Sequence, residues 1–225
     1  FGIPLQFDKV YIEGISRITR EDVAYAEQLG YRIKHLGIAR RDERGAQLRV
    51  HPTLIPQRQL LASVSGVMNA VLVRGDAVGQ SLFYGAGAGA EPTASAVVAD
   101  IIDVVRTLTV DPDNRVPHLA FQPDALSDLP VLPMTEVETC YYLRLQAVDR
   151  SGVLADVTRI LADRDISIEA VLQKEPPPGA RDVPIILLTY RVREQRMNEA
   201  IAAIEALDSI HAPVVRIRME HLNSD

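Results

Sequence analysis

The order of hydrophobic patterns between Tyr141 and Met219 constrains this chain more than any other feature. Tyr141–Val148 alternates as a strand does, and Arg196–Leu207 sets Met197, Ile201, Ile204 and Leu207 on one helical face. Around them the pattern predicts a loop from Asp149 into a helix ending near Asp163, a strand over Ile166–Gln173, and another over Val183–Arg193. Pro176–Asp182 reads as the turn between those two strands, and Pro213–Met219 as a last strand. The sum is β-α-β-β-α-β, the ferredoxin-like split β-α-β arrangement. Both helices then pack on one face of the sheet, and the other face, or an edge, is left for a partner.

The region before it reads as a sheet built largely of hairpins. Val10–Gly14 is a short strand or turn. Thr19 is placed to cap a helix, with Asp22 three residues on as an acidic variant of the capping box. Val23, Ala26 and Leu29 give that helix an apolar stripe, and Gly30 ends it. Two strand pairs follow: Arg32–Ala39 with Leu48–Ile55, joined through Arg40–Gly45, and Asn69–Val73 with Val78–Phe83, joined through Arg74–Ala77. A short helix is expected over Gln57–Gly66. A long one runs from Pro92 to Leu108, and Val97, Val98, Ile101, Ile102 and Val105 make it an expected core element. The fold class is therefore α+β: a mixed sheet with packed helices, then the β-α-β-β-α-β unit.

Between the second hairpin and the long helix, Gly85, Gly87 and Ala90 fit G-x-G-x-x-A. Glycines opening a helix can hold a phosphate on the helix N-terminus. The dinucleotide fingerprint also needs a second buried strand ending in an acid about 20 positions on. Here the helix runs instead into Val110–Pro117, so the spacing favours a tight strand-to-helix turn. Asp111–Pro133 is rich in proline and aspartate and weak in periodicity, which reads as an interdomain linker, with Leu119 and Phe121 able to pack on the first region. The division expected is 1–110, a linker over 111–138, and 139–222.

At 225 residues and 47% apolar, the chain is long enough for two ordinary domains. A net charge of −6, with no run of Lys and Arg, argues against nucleic acid as a partner. No apolar stretch is long enough to span a membrane. A lone cysteine, Cys140, rules out an internal disulfide and fits a reducing, cytoplasmic compartment. His35, His51, His118, His211 and His221 are scattered without metal-ligand spacing, so no metal site is expected.

Two resemblances rest on specific residues. The tail from about Tyr141 to Glu220 resembles an ACT domain, through Asp149-Arg-Ser-Gly-Val-Leu154 in the first strand-to-helix loop. ACT domains sense amino acids and usually pair edge to edge. The resemblance implies effector contacts from Asp149, Arg150, Ser151, Gly152, Val153 and Leu154, together with a partner's sheet. Gly152 frees backbone amides at a helix N-terminus, which suits a carboxylate. Asp149 and Ser151 are also expected to cap the helix.

The first part is similar to homoserine dehydrogenase. The match runs through Phe1-Gly-Ile-Pro4, Glu13-Gly-Ile-Ser-Arg-Ile-Thr19, Gly30-Tyr-Arg-Ile-Lys-His-Leu-Gly37, His51-Pro-Thr-Leu-Ile-Pro56, Asn69-Ala-Val71, Phe83–Gly89 and Pro92-Thr-Ala-Ser95. It implies the C-terminal portion of an enzyme that interconverts aspartate semialdehyde and homoserine with NAD(P), in threonine, methionine and isoleucine biosynthesis. The Rossmann domain and the catalytic lysine segment would lie upstream of Phe1, as would most of the alkali-metal site. No catalytic residue is then expected here: Lys9, Lys34 and Lys174 lie outside the motif, and Glu13 reads as structural. Phe83–Pro92 would return beside the nicotinamide, giving Gly85, Gly87, Ala88, Gly89 and Glu91 as cofactor contacts. The partners implied are the N-terminal Rossmann domain, a second copy in a homodimer or tetramer, and threonine as effector. The alternative is a non-catalytic amino-acid-binding regulatory protein.

Overall fold

The strand Glu138–Val148 is packed on both faces, and this organises the larger part of the fold. The structure, a computed structural model, describes residues 1–110, 120–174 and 181–222. In chain order the elements are β1 (Tyr11–Ile12), α1 (Arg20–Gln28), β2 (Tyr31–Arg41), β3 (Ala46–Pro56), β4 (Met68–Gly75), β5 (Gly79–Ala86) and α2 (Ala90–Leu108). Then come β6 (Glu138–Val148), α3 (Val153–Ala162), β7 (Ile168–Gln173), β8 (Asp182–Thr189), β9 (Val192–Arg193), α4 (Glu194–Glu205) and β10 (Val215–Met219).

The chain forms two compact units, Phe1–Pro4 with Arg58–Asp128, and Leu5–Gln57 with Leu129–Asp225. They cut across the division drawn at 110 and 139. Residues 5–57 join the β-α-β-β-α-β unit rather than the hairpin that follows them.

In the larger unit β10, β6, β8 and β7 pair antiparallel in that order. One face of this sheet carries Tyr141, Leu143, Leu145, Ala147, Val183, Ile185 and Leu187, packed on Val153, Val157 and Leu161 of α3 and on Met197, Ala200 and Ile204 of α4. Burying each such side chain contributes about 2 kcal/mol before entropy is subtracted. The other face, expected to be left for a partner, is filled from within the chain. Tyr142, Ile186, Leu188, Ile217 and Met219 pack with Tyr25 and Ala26 of α1 and Leu54 of β3. One edge is also taken: Arg218 and Met219 pair in parallel with Thr53 and Leu54, so the sheet runs on through β3 to β2. β1 shares that edge of β3, at Arg49 and Val50. Among the described residues, β7 is left as the free edge of the β-α-β-β-α-β sheet.

Local readings fared unevenly. Thr19 and Asp22 form a complete capping box. In α1, however, the buried residues are Asp22, Tyr25 and Ala26, while Val23 is exposed. The helix expected over Gln57–Gly66 is only a 3-10 turn, Leu60–Ser63. The strand expected over Val183–Arg193 breaks after Thr189 and resumes at Val192. The linker is partly engaged: Ala46 donates to the Pro130 carbonyl and Leu132 donates back to that of Ala46. Phe121 lies against Gly2, whose carbonyl accepts from the Ser127 amide. Leu119, and the 176–180 part of the expected turn, lie outside the described residues.

The smaller unit holds the β4–β5 hairpin, registered from Met68–Ala86 to Gly75–Gly79, and α2. α2 is not the core element its pattern predicts, since none of its residues is buried. Val97 is 53% exposed, Ile101 58% and Leu108 76%. The 3.6-residue period reports a face that avoids water, and nothing among the described residues buries it.

Candidate functional site

The loop from Asp149 leaves the end of β6 and turns back at once into α3. Arg150 donates its amide to the Val148 carbonyl (2.9 Å), and Asp156 donates to that of Gly152 (2.9 Å). Gly152 is the N-cap residue, with φ +95°. An L side chain is strained there, so the left-handed turn accounts for the glycine. The expected caps from Asp149 and Ser151 are not made: the helix start has no side-chain capping bond. The Val153 amide is spent within the loop, on the Arg150 carbonyl (3.4 Å), and the helix start offers no side-chain acceptor at the positive end of the helix dipole. Asp149, Arg150, Ser151 and Gly152 are exposed, Leu154 is half-buried, and Val153 is anchored in the core. Beside the loop, His211 Nδ1 lies 2.9 Å from the Asp182 carboxylate. The loop thus combines a core anchor, a helix start without a side-chain cap and one cation, Arg150, a set suited to a small zwitterion.

The second candidate, in the smaller unit, is built differently. Gly87 and Ala88 both donate to the Val67 carbonyl, at 2.9 and 3.5 Å, so their amides are committed within the hairpin. A side chain at Gly87 would collide with the Asn69 amide group, so this glycine answers to its own hairpin. Gly89, at φ +126°, is the N-cap of α2 and again has no side-chain cap. Gly85, Ala88 and Glu91 are exposed. The arrangement offers a side-chain-free approach and one open helix start. It does not offer a cradle of amides for two phosphates.

A third cluster, not foreseen from the sequence, is buried. Arg218 donates through Nε to Glu194 Oε2 (3.0 Å), through Nη1 to Glu13 (2.8 Å), and through Nη2 to Tyr11 Oη (3.0 Å). Tyr141 Oη donates to Glu194 (2.7 Å). Burial alone would raise the Glu194 carboxyl, but Arg218 outweighs it and holds the group below the usual carboxylate range. The same contest, with the same outcome, governs Glu13 through Arg218 and Tyr11. Arg49 and Arg40 pair with Glu220. On the other sheet face, Arg144 Nε (2.6 Å) and Tyr142 Oη (3.1 Å) converge on Asp22. Burial would raise Asp22 as well, and Arg144 with Thr19 pulls it down. His51 is fully buried between these groups; burial first, then Arg218 and Arg49, lowers its pKa to about 4. The one sequence signal was Arg216 and Arg218 alternating with Val215, Ile217 and Met219 in a strand whose faces are both covered.

Comparison with known proteins agrees with both resemblances. Residues 1–102 match the homoserine dehydrogenase family model, and residues 141–209 match that of the ACT domain. A homoserine dehydrogenase of Pseudomonas aeruginosa is 66% identical over 99% of this chain and 51% of its own length. The chain belongs to the homoserine dehydrogenase family. One from Neisseria gonorrhoeae is 53% identical over 99% of this chain and 51% of its own. The crystal structure of a homoserine dehydrogenase from Thiobacillus denitrificans superimposes with a TM-score of 0.89 at 65% identity, over 99% of this chain and 50% of that one. The chain therefore spans about half the length of the homoserine dehydrogenases it matches. Within it, the 149–154 loop falls in the ACT match and the 85–91 loop in the dehydrogenase match. No helix among the described residues is long and apolar enough to cross a membrane.

Proposed function

We propose that this chain is the C-terminal, substrate-domain and regulatory portion of a homoserine dehydrogenase, and that the ACT loop at 149–154 binds threonine as a feedback effector. The intact enzyme interconverts L-aspartate 4-semialdehyde and L-homoserine with NAD(P), in a cytoplasmic setting. The observation that carries this reading is the uncapped α3 start at Gly152, inside the matched ACT segment. An amino-acid carboxylate would accept from the Gly152 and Leu154 amides, that of Val153 being held by the Arg150 carbonyl, and the Arg150 and Asp149 side chains would set its orientation.

The nicotinamide cofactor would meet this chain at Gly85, Gly87, Ala88, Gly89 and Glu91. The lack of bulk at Gly85, Gly87, Ala88 and Gly89 fits a close approach to its ring. Because Gly87 and Ala88 already serve Val67, its phosphates belong on the upstream half. The bound cofactor supplies the hydride, and this chain's part is to shape the edge of its site. The lysine that handles the proton also lies upstream, and the chain alone is inactive.

The exposed apolar face of α2 and the free β7 edge support assembly with the N-terminal half and with a second copy, as a dimer or tetramer. The test is the full-length protein, assayed by NADPH oxidation with aspartate semialdehyde. Threonine is expected to inhibit it and Gly152→Val to relieve the inhibition with turnover kept. Turnover that ignores threonine would sink the effector reading.

A further inference from the structure

β6 ends at the Asp149 loop, and its side chains leave the sheet on both faces to reach segments far away in the chain. On the α4 face, Tyr141 donates to Glu194, which holds Arg218, and Arg218 reaches Glu13 and Tyr11. On the opposite face, Tyr142 and Arg144 hold Asp22 of α1. Tyr141, Tyr142, Asp22 and Arg218 are all fully buried, and Glu194 nearly so. A buried charge cannot part from its partners without an uncompensated desolvation cost. A change in how firmly β6 is held must therefore be felt at α1 and at Tyr11–Glu13.

We propose that α1 and the Tyr11–Glu13 segment are the output of the effector loop: occupancy of 149–154 is passed along β6 to Asp22 and Glu13, and makes opening of both segments rarer. This rests on the effector reading given above. Coupling of this kind needs no large displacement, only a shared opening equilibrium that the ligand biases. The hydroxyls of Tyr141 and Tyr142 are the separable parts. Each can be removed while its ring still fills the core and each carboxylate keeps an arginine partner.

The experiment is amide hydrogen exchange on the full-length protein, with and without saturating threonine, in wild type, Tyr142→Phe and Tyr141→Phe. In wild type, exchange across Arg20–Gln28 and Tyr11–Glu13 should slow about 5-fold or more on binding, alongside the loop itself. Tyr142→Phe should weaken the slowing in α1, where Arg144 still ties β6 to Asp22, and Tyr141→Phe should lose most of that at Tyr11–Glu13, with loop protection retained in both. Loop protection with no change in α1 or Tyr11–Glu13 would overturn the output while leaving the effector reading intact. Equal slowing in all three proteins would overturn the route through the two hydroxyls. Threonine that protects nothing, the loop included, would overturn the effector reading and the output with it.

Discussion

At the scale of single residues, burial and neighbouring charges move the titration of several groups. His51 is held neutral, its pKa lowered from 6.5 to about 4 by burial and by Arg218 and Arg49. Between those values the unfolded chain binds a proton that the folded chain refuses, so stability falls as pH falls from 6.5 toward 4. The loss should be about 2 kcal/mol between pH 6.5 and 5, read by urea unfolding at each pH. His51→Gln should flatten that window, and an equally steep loss in the variant would remove His51 as the cause. The carboxylates held low, Asp22, Glu13 and Glu194, lose their contribution at lower pH still, below the usual carboxylate range. Residue roles were legible only where the partners are local. Thr19 and Asp22 stand three apart, so their box could be read directly. Arg218 and Glu13 stand 205 residues apart, and Tyr142 and Asp22 stand 120 apart, so no window of sequence contains either pair.

At the scale of elements, α1 is the piece whose role changed most between sequence and structure. Its pattern shows an amphipathic surface helix. The structure makes it the lid of the second sheet face, seated by Tyr25 and Ala26 and locked by Asp22. Asp22→Ala should cost about 3 kcal/mol, because it strips Arg144 of its buried counter-charge and the helix of its cap. Val23→Ala, at an exposed position of the same helix, should stay within about 0.5 kcal/mol. Denaturant midpoints with unchanged slopes would measure both, and equal costs would mean that α1 is not seated through Asp22. The elements that read correctly, among them β2 to β7, β10, α3 and α4, carry hairpin signals or a clean period. Gln57–Gly66 has neither and settles for a single 3-10 turn. α2 shows the opposite limit: its period is right, but what buries an apolar face is not written in the face itself.

At the scale of the whole molecule, an ACT segment that reads as tethered is built into its neighbour. Its sheet lends β10 to β3 and its second face to α1, so residues 5–57 and 129–225 form one unit. On the effector reading proposed above, a ligand at Gly152 would act on a continuous sheet rather than on a domain at the end of a linker. The first measurement to make is calorimetric titration of this chain with threonine, with isoleucine and methionine as controls, on wild type and Gly152→Val. Saturable binding of threonine over both controls is expected, lost in Gly152→Val, where the side chain is strained at φ +95° and would crowd the uncapped helix start. Threonine heats no different from those of the controls, or binding that survives in Gly152→Val, would contradict it.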